Sequence, residues 1–151
     1  RAEGSLSRDA EEGPLQAPQP KSPPVRIVVI DDNLASVRGL TECIRVWFED
    51  VDVRGFVDPH RAYDAILLNP PALVFMDQQM PRCTGVELAQ MLRERLSSDC
   101  PRLVLVSGSD LPRAHLKSFD AYFRKPFQFA AVAEAVERLL ATSSSGIRRV
   151  P

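Results

Sequence analysis

The 151-residue chain has little of several features that mark specialised classes of protein. Its 19 Lys and Arg residues stand against 20 Asp and Glu, so no basic excess is available to bind nucleic acid or an anionic membrane. Its apolar runs are too short to cross a bilayer, and no signal-peptide pattern occurs. Its three cysteines lack the spacing of a disulfide framework or a zinc site. These absences favour a cytoplasmic domain of a longer protein, whether or not that parent protein is membrane-bound.

The composition that is present divides the chain into three segments. Hydrophobic residues make up 44% of the sequence, which suits one compact domain over residues 25–141. Residues 1–24 hold five of the 13 prolines and no aromatic residue, which predicts a flexible, Pro-rich linker. Residues 142–151 are Ser- and Arg-rich, and we expect a disordered tail there.

Within the domain, strand-like and helix-like patterns alternate five times. Residues 25–30, 72–76 and 103–106 are nearly continuous apolar runs, typical of strands buried on both faces. Residues 51–56 alternate apolar and polar, and residues 121–123 are short and run into basic residues, as edge strands do. The pattern predicts an α/β fold with a five-stranded parallel sheet in the order 2-1-3-4-5 and helices on both faces, the flavodoxin-like (βα)5 arrangement.

Helix-start signals follow the strands. Asn33 and Thr84 are predicted to cap the first and third helices, and Pro59 fits the first turn of the second. The last helix is expected from Phe127 to about Leu140.

The fourth helix is predicted to be unusually short. Only 17 residues separate Ser107 from Lys125, and they must hold both this helix and the fifth strand. The interval leaves a helix over about residues 110–117, with Asp110 as its cap and Pro112 in its first turn.

Polar side chains stand at the end of four of the predicted strands. The first strand ends at Asp31 and Asp32, the third at Asp77, the fourth at Ser107 and the fifth just before Lys125. Parallel strands bring their carboxyl ends to one edge, so crowded carboxylates are expected there and would repel each other. A hard cation such as Mg²⁺, for which Mn²⁺ can substitute, would relieve that repulsion. A carboxylate can also act as a nucleophile toward phosphorus, with the metal and a lysine balancing the charge on the phosphoryl oxygens.

The same residues carry a family resemblance. Over about residues 25–141 the chain resembles the receiver domain of two-component response regulators. The matching pieces are "DD" at 31–32, "MDQQMP" at 76–81 with Gly85 beyond it, "SG" at 107–108 and "KPF" at 125–127.

The resemblance implies a phosphoacceptor and a metal site. Asp77 would accept a phosphoryl group from the phosphohistidine of a histidine kinase or a histidine phosphotransfer domain. Asp32, Asp77 and the backbone carbonyl of Gln79 would ligate Mg²⁺, and Asp31 would assist through a water molecule.

The resemblance also implies residues that hold and report the phosphoryl group. Ser107 and Lys125 would bind its oxygens, and Tyr122 would change rotamer as the serine shifts. Gln79 and Ser109 would tune the hydrolysis rate, because they occupy the positions that flank the path of the attacking water.

Two other functions remain as alternatives at this point. A haloacid-dehalogenase-type aspartyl-phosphate hydrolase carries its nucleophile at the end of strand 1 in a D-x-D pattern, whereas Asp31 and Asp32 are adjacent here. A pseudo-receiver, a folded interaction module that takes no phosphate, often lacks the acids or the lysine that this chain retains.

The expected setting is a phosphorelay. The domain would be a switch or phosphotransfer intermediate that only phosphorylates and dephosphorylates itself, not a conventional enzyme. The short segment after it suggests the terminal receiver of a hybrid sensor histidine kinase. A short fourth helix makes a monomer the expected state. The balance of acidic and basic residues predicts no contact with nucleic acid or a membrane.

Overall fold

A computed structural model of the chain describes residues 22–141 and 146–151. The predicted Pro-rich linker at 1–24 therefore lies almost entirely outside the described residues. Across the described residues, no helix combines the length and the apolar character needed to span a membrane.

Five parallel strands form the central sheet. They are β1 (Val25–Ile30), β2 (Val51–Phe56), β3 (Leu73–Asp77), β4 (Arg102–Ser107) and β5 (Ala121–Arg124). Their spatial order is β2-β1-β3-β4-β5, which confirms the predicted 2-1-3-4-5 order. The carboxyl ends of β1 and β3 therefore lie side by side, where the strand order reverses.

Helices connect successive strands, and each begins close to its predicted start signal except the fourth. Their bounds are α1 (Leu34–Trp47), α2 (Pro59–Leu68), α3 (Gly85–Leu96), α4 (Arg113–Leu116) and α5 (Phe129–Leu140), with a 3-10 turn at Ser97–Asp99. The Asn33 side chain accepts a hydrogen bond from the Ser36 N–H, and the Thr84 hydroxyl accepts one from Glu87, so both predicted caps are confirmed.

The hydrophobic core has two layers, one on each face of the sheet. One layer packs α1 and α5 against residues such as Ile27 and Phe75, and the other packs α2 and α3 against residues such as Val74 and Met76. Every residue of β3 is buried, Asp77 included. The acidic residue is thus delivered to the sheet edge by a strand that packing fixes on both sides.

The fourth helix is shorter than predicted. It spans only four residues and begins after Pro112 with no side-chain cap, so the predicted cap at Asp110 is wrong. The reason is local, because a residue that precedes proline is disfavoured in the helical region and Leu111 precedes Pro112. Asp110 instead forms an ion pair with Arg124 of β5.

The end of the chain also differs from the prediction of a disordered tail. Arg148–Arg149 pairs antiparallel with Phe48–Glu49, and we call this pair the terminal ladder. The Val150 N–H donates to the Trp47 carbonyl at 2.9 Å, and the Arg149 guanidinium lies 5.2 Å from the Trp47 ring centre. These contacts anchor the last residues, while residues 142–145 lie outside the described part of the chain.

Candidate functional site

Three carboxylates meet at the edge formed by β1 and β3. Asp31, Asp32 and Asp77 each bring one oxygen to within 4.8 Å of the others. Asp31 and Asp77 are only 6% and 7% exposed, whereas Asp32 is exposed. The predicted acidic cluster is therefore present, with two members in the protein interior and one facing solvent.

Lys125 directly follows the edge strand β5, and its side chain extends to this cluster. Its ammonium nitrogen lies 2.9 Å from Asp31 Oδ2 and 3.2 Å from Asp77 Oδ1. Its backbone N–H donates to the Ser107 carbonyl at 2.8 Å, which fixes the start of the side chain beyond β5. The Lys125–Pro126 peptide bond that follows is cis, a feature that the sequence did not reveal. One cation thus bridges two buried carboxylates.

Burial and charge act on the ionisable groups in opposite directions. Burial raises the pKa of Asp77, the negative charge of Asp31 raises it further, and the hydrogen bond from Lys125 only partly opposes this. Burial lowers the pKa of Lys125, but its hydrogen bonds to Asp31 and Asp77 outweigh that effect and the net pKa is raised. The cluster therefore holds more negative charge than one lysine neutralises.

The donor set matches the preference of a hard divalent cation. Three carboxylates supply only oxygen ligands, and the exposed side of Asp32 leaves room for waters that Mg²⁺ retains. The excess of carboxylate over ammonium charge gives such a cation a favourable position at this edge.

The loop after Asp77 is held by backbone contacts. The Gln78 N–H donates to the Val106 carbonyl at 3.1 Å, and the Gly85 N–H donates to the Gln78 carbonyl at 3.1 Å. The Gln78 side-chain carbonyl also accepts from the Val86 N–H at 3.0 Å. A β-carbon on Gly85 would lie 2.6 Å from the Asp77 carbonyl oxygen, so only glycine fits there.

Gln78 is a positioning residue that the sequence analysis missed. The only available signal was a polar residue directly after a buried strand and a few residues before a helix start. Gln79, which the family resemblance predicts to tune the hydrolysis rate, is exposed to solvent two residues after Asp77.

Ser107, Ser109 and Tyr122 are joined by hydrogen bonds. The buried Ser107 hydroxyl donates to the Ser109 carbonyl at 2.9 Å and accepts from the Ser109 N–H at 3.2 Å. The Tyr122 hydroxyl donates to the same carbonyl at 3.1 Å. Among the hydrogen bonds of the described residues, 22–141 and 146–151, none joins the Ser107 hydroxyl to Asp77 or Lys125. The serine and the tyrosine thus converge on one backbone carbonyl beyond β4.

Sequence comparisons place these features in a known family. The sequence model of the response regulator receiver domain family matches residues 27–137 of the chain. The response regulator MprA of Mycobacterium sp. (strain KMS) is 35% identical over 130 residues, covering 83% of this chain and 52% of that protein. A hybrid signal transduction histidine kinase C of Dictyostelium discoideum is 27% identical over 125 residues, covering 75% of this chain and 10% of that protein. The chain spans about half the length of the first curated relatives that it matches.

Solved structures agree on the fold. A CheY-like receiver domain from Methylobacillus flagellatus superposes with a TM-score of 0.69 at 22% identity, covering 78% of this chain and 99% of that one. The response regulator TrrA of Thermotoga maritima, solved in complex with Mg²⁺ and BeF, gives a TM-score of 0.68 at 26% identity, covering 76% and 98% of the two chains. The predicted flavodoxin-like fold is therefore confirmed.

These matches decide between the functions left open by the sequence. Neither the dehalogenase-type hydrolase nor the pseudo-receiver is favoured by them. The family match covers most of the chain and includes the acidic edge and Lys125. The chain belongs to the receiver domain family of two-component response regulators, which act in phosphorylation-based signalling.

Proposed function

We propose that Asp77 is the phosphoacceptor of this receiver domain and takes its phosphoryl group from a phosphohistidine. Receiver domains accept such groups from histidine kinases or histidine phosphotransfer proteins. The observation that carries the proposal is the Lys125 ammonium, which lies 2.9 Å from Asp31 and 3.2 Å from Asp77 at the topological switch point. A carboxylate held beside a cation suits attack on phosphorus.

The transfer moves one group between two residues. An Asp77 carboxylate oxygen attacks the phosphorus, the bond from phosphorus to the histidine nitrogen breaks, and the imidazole leaves with the electron pair of that bond. Lys125 then exchanges part of its contact with the two carboxylates for contact with a phosphoryl oxygen. The developing negative charge on that oxygen is stabilised by a cation already in position.

We infer that Mg²⁺ binds at the same edge of the sheet. Receiver domains generally bind Mg²⁺ at an acidic pocket. Asp32, Asp77 and the Gln79 backbone carbonyl are the proposed ligands, and Asp31 acts through water. When bound, the cation supplies positive charge to the phosphoryl oxygens, and Mn²⁺ meets the same requirement. The three clustered carboxylate oxygens support this assignment.

We propose that Ser107 and Tyr122 report the phosphorylated state. The Ser107 hydroxyl can turn toward a phosphoryl oxygen only by giving up its hydrogen bond to the Ser109 carbonyl, which Tyr122 shares. Loss of the serine bond leaves that carbonyl to the tyrosine. The shared acceptor therefore supports a coupled change of the two side chains.

The proposed setting is cytoplasmic, in a phosphorelay. The partner is a histidine kinase or a histidine phosphotransfer domain that approaches the acidic edge beside α1. The domain remains a monomer, since α4 offers only four helical residues, none of them buried, to a dimer interface. It contacts neither nucleic acid nor membrane, since its 19 basic residues are balanced by 20 acidic ones. The parent protein is proposed to be a hybrid histidine kinase, and the match to a segment of hybrid signal transduction histidine kinase C is consistent with that context, as the match to a response regulator is with the alternative.

Labelling with acetyl phosphate tests the acceptor. With Mg²⁺, intact-mass spectrometry should show one added phosphoryl group that hydroxylamine removes, as expected for an acyl phosphate. Asp77→Asn is nearly isosteric and should remain unlabelled and folded, whereas Asp52→Asn on the exposed edge strand should be labelled like the wild type. Full labelling of the Asp77→Asn variant would refute the assignment.

A further inference from the structure

A cavity of about 560 Å³ extends from the acidic edge into the space between α1 and α5. Its polar end is formed by Asp31, Asp77 and Lys125. The rest of its wall is mainly apolar and includes Val29, Leu40, Phe75, Val106, Phe127 and Phe129. The volume lies in the range of about 300–1,000 Å³ found for small-ligand sites, which combine such walls with a few polar groups.

The solvent-exposed part of the cavity lining includes a glycine of α1. Gly39 lies within α1, and a β-carbon built there would meet nothing within 4 Å. Glycine is a poor helix former in the middle of a helix, and packing does not require it at this position. Because Gly39 has no β-carbon, the space beside it on α1 is open to the cavity.

The charge at the polar end determines which ligand would be complementary. Two carboxylates, those of Asp31 and Asp77, line this end with the single ammonium of Lys125, and Asp32 adds a third carboxylate just outside the lining. A cationic head group is attracted to this excess, and an anionic one is repelled. The head group would occupy the end of the cavity next to Asp31 and Asp77, and an apolar body would fill the part between the helices.

We propose that this cavity binds a small apolar amine, with its ring or alkyl chain between α1 and α5 and its ammonium at Asp31 and Asp77. The phosphotransfer chemistry proposed above uses the polar end of this cavity, and the ligand proposed here also occupies its apolar part. The ammonium and the Mg²⁺ of the proposed phosphotransfer site draw on the same carboxylates, so each weakens the binding of the other. An amine of this class would thus oppose Mg²⁺-dependent phosphorylation of Asp77.

The chain contains a built-in reporter of occupancy. Its single tryptophan, Trp47, packs edge-on against the cavity residue Phe129, with ring centres 5.3 Å apart. A ligand that contacts Phe129 changes the surroundings of the Trp47 ring. Tryptophan fluorescence therefore follows binding without any label.

The test compares three probes that share one phenyl ring and chain. Phenylbutylamine, phenylbutanol and phenylbutyrate are titrated into the whole chain in Mg²⁺-free buffer, and affinities from Trp47 fluorescence are checked by calorimetry. The amine should bind about tenfold or more tightly than the carboxylate, with the alcohol between them. Millimolar Mg²⁺ should weaken binding of the amine and leave that of the alcohol unchanged.

A matched pair of variants locates the site. Gly39→Leu introduces a side chain at the cavity mouth and should weaken amine binding about tenfold, since the apolar body loses its space. Ala35→Leu adds the same bulk on an exposed part of α1 that does not line the cavity, and it should bind like the wild type. Thermal unfolding establishes that both variants fold, and Cys43→Phe on the same cavity wall is the second blocking variant.

Several results would overturn the proposal. Equal affinity for the amine and the carboxylate would show that the acidic end does not select the ligand. Unchanged amine binding in both Gly39→Leu and Cys43→Phe would locate binding elsewhere, and no binding of the amine at millimolar concentration would exclude the site. Because binding is measured without phosphodonor or Mg²⁺, these outcomes are independent of whether Asp77 accepts phosphate.

Discussion

The segments that follow β3 and β4 begin side by side at the same edge of the sheet, but they are held in different ways. After β3, the chain is locked by backbone hydrogen bonds through Gln78 and by close packing at Gly85, and it leads into the twelve-residue helix α3. After β4, Gly108 meets nothing within 4 Å of its β-carbon position, and the chain leads into four-residue α4. Asp77 thus stands on a closely packed support, next to a segment whose helix has no fully buried residue.

The α4 segment is held by half-buried side chains and by polar contacts from outside itself. Leu111, Leu116 and Phe119 pack against the core layer that contains α2 and α3, although no residue of α4 is fully buried. Arg93 of α3 donates from Nε to the Ser118 carbonyl at 2.7 Å and lies 3.3 Å from Asp120. The Asp120 carboxylate also accepts from the Leu103 N–H at 2.8 Å. A long helix would hold this part of the chain through fully buried side chains, whereas here half-buried side chains are supplemented by two charged residues at its far end.

This difference in packing indicates that the segment after β3 holds Asp77 in place, whereas the segment after β4 opens more easily. Tight packing preserves the position of Asp77, because a buried strand and its loop open only at a cost close to that of global unfolding. A short helix is stabilised by its tertiary contacts and not by its own propensity, so it opens at a lower cost. The proposed switch residues Ser107 and Tyr122, and Ser109 whose carbonyl they share, lie at the border between the two segments.

The largest expected effect comes from crowding the rigid segment. Gly85→Ala should lower the free energy of unfolding by about 2–3 kcal/mol, because the new β-carbon would meet the Asp77 carbonyl oxygen at 2.6 Å and Leu105 at 2.7 Å. Gly108→Ala is the matched control in the other segment, and it should change stability by less than about 0.5 kcal/mol because open space surrounds its β-carbon position. Urea unfolding measures both, and a comparable loss in the two variants would remove the contrast.

Cutting the anchor of the α4 segment should have a smaller effect. Asp120→Ala should cost about 1–2 kcal/mol, because the partly buried Leu103 N–H and Arg93 lose their acceptor. Asp52→Ala is the control, since its pair with Arg54 is long at 3.7 Å and exposed, and surface pairs contribute about 0–1 kcal/mol. Equal costs for the two changes, measured by urea unfolding, would mean that Asp120 does not anchor the segment.

The acidic edge should respond to metal by a smaller amount still. Mg²⁺ at millimolar concentration should raise the melting temperature through binding linkage, and Asp32→Ala should abolish that rise. Without metal, Asp32→Ala should be neutral or slightly stabilising, because it removes one of three mutually repelling carboxylates. Differential scanning calorimetry decides this, and an Asp32→Ala variant that retains the full Mg²⁺ response would contradict the proposed ligand set.

The smallest effect on stability is expected at Gln79, where the rate of phosphoryl hydrolysis should change instead. Gln79→Ala removes an exposed side chain beside the acceptor, so it should leave stability and labelling stoichiometry unchanged while altering the rate of phosphoryl loss several-fold. The exposed Gln90→Ala on α3 is the control and should lose phosphate at the wild-type rate. Mass spectrometry after removal of the phosphodonor gives both rates, and identical rates would show that Gln79 does not influence hydrolysis.

The features that could be predicted from the sequence are those set by local patterns. Apolar runs gave the strands and their order, and Asn33 and Thr84 marked two helix starts because a cap depends on neighbours a few residues away. The acids were found because parallel strands bring their ends together. The family resemblance then supplied roles for Ser107 and Tyr122, which no local pattern specifies.

What was missed depends on residues far apart in the chain. The Arg93–Asp120 anchor spans 27 positions, and the terminal ladder joins residues about a hundred positions apart. The error at Asp110 had a local cause, the effect of Pro112 on the preceding residue, which competed with the cap signal and prevailed. The position of Gln78 between β3 and α3 also depends on tertiary packing that no single segment encodes.

Hydrogen exchange measured by mass spectrometry on the unphosphorylated domain tests the contrast between the two segments most directly. Amides of β3 and α3 should exchange only by near-global opening, whereas amides over residues 110–118 should exchange orders of magnitude faster. Asp120→Ala should accelerate only the second group. Equal protection of the two segments, or acceleration of α3 exchange by Asp120→Ala, would contradict the conclusion that a firmly packed Asp77 lies beside a weakly held α4 segment.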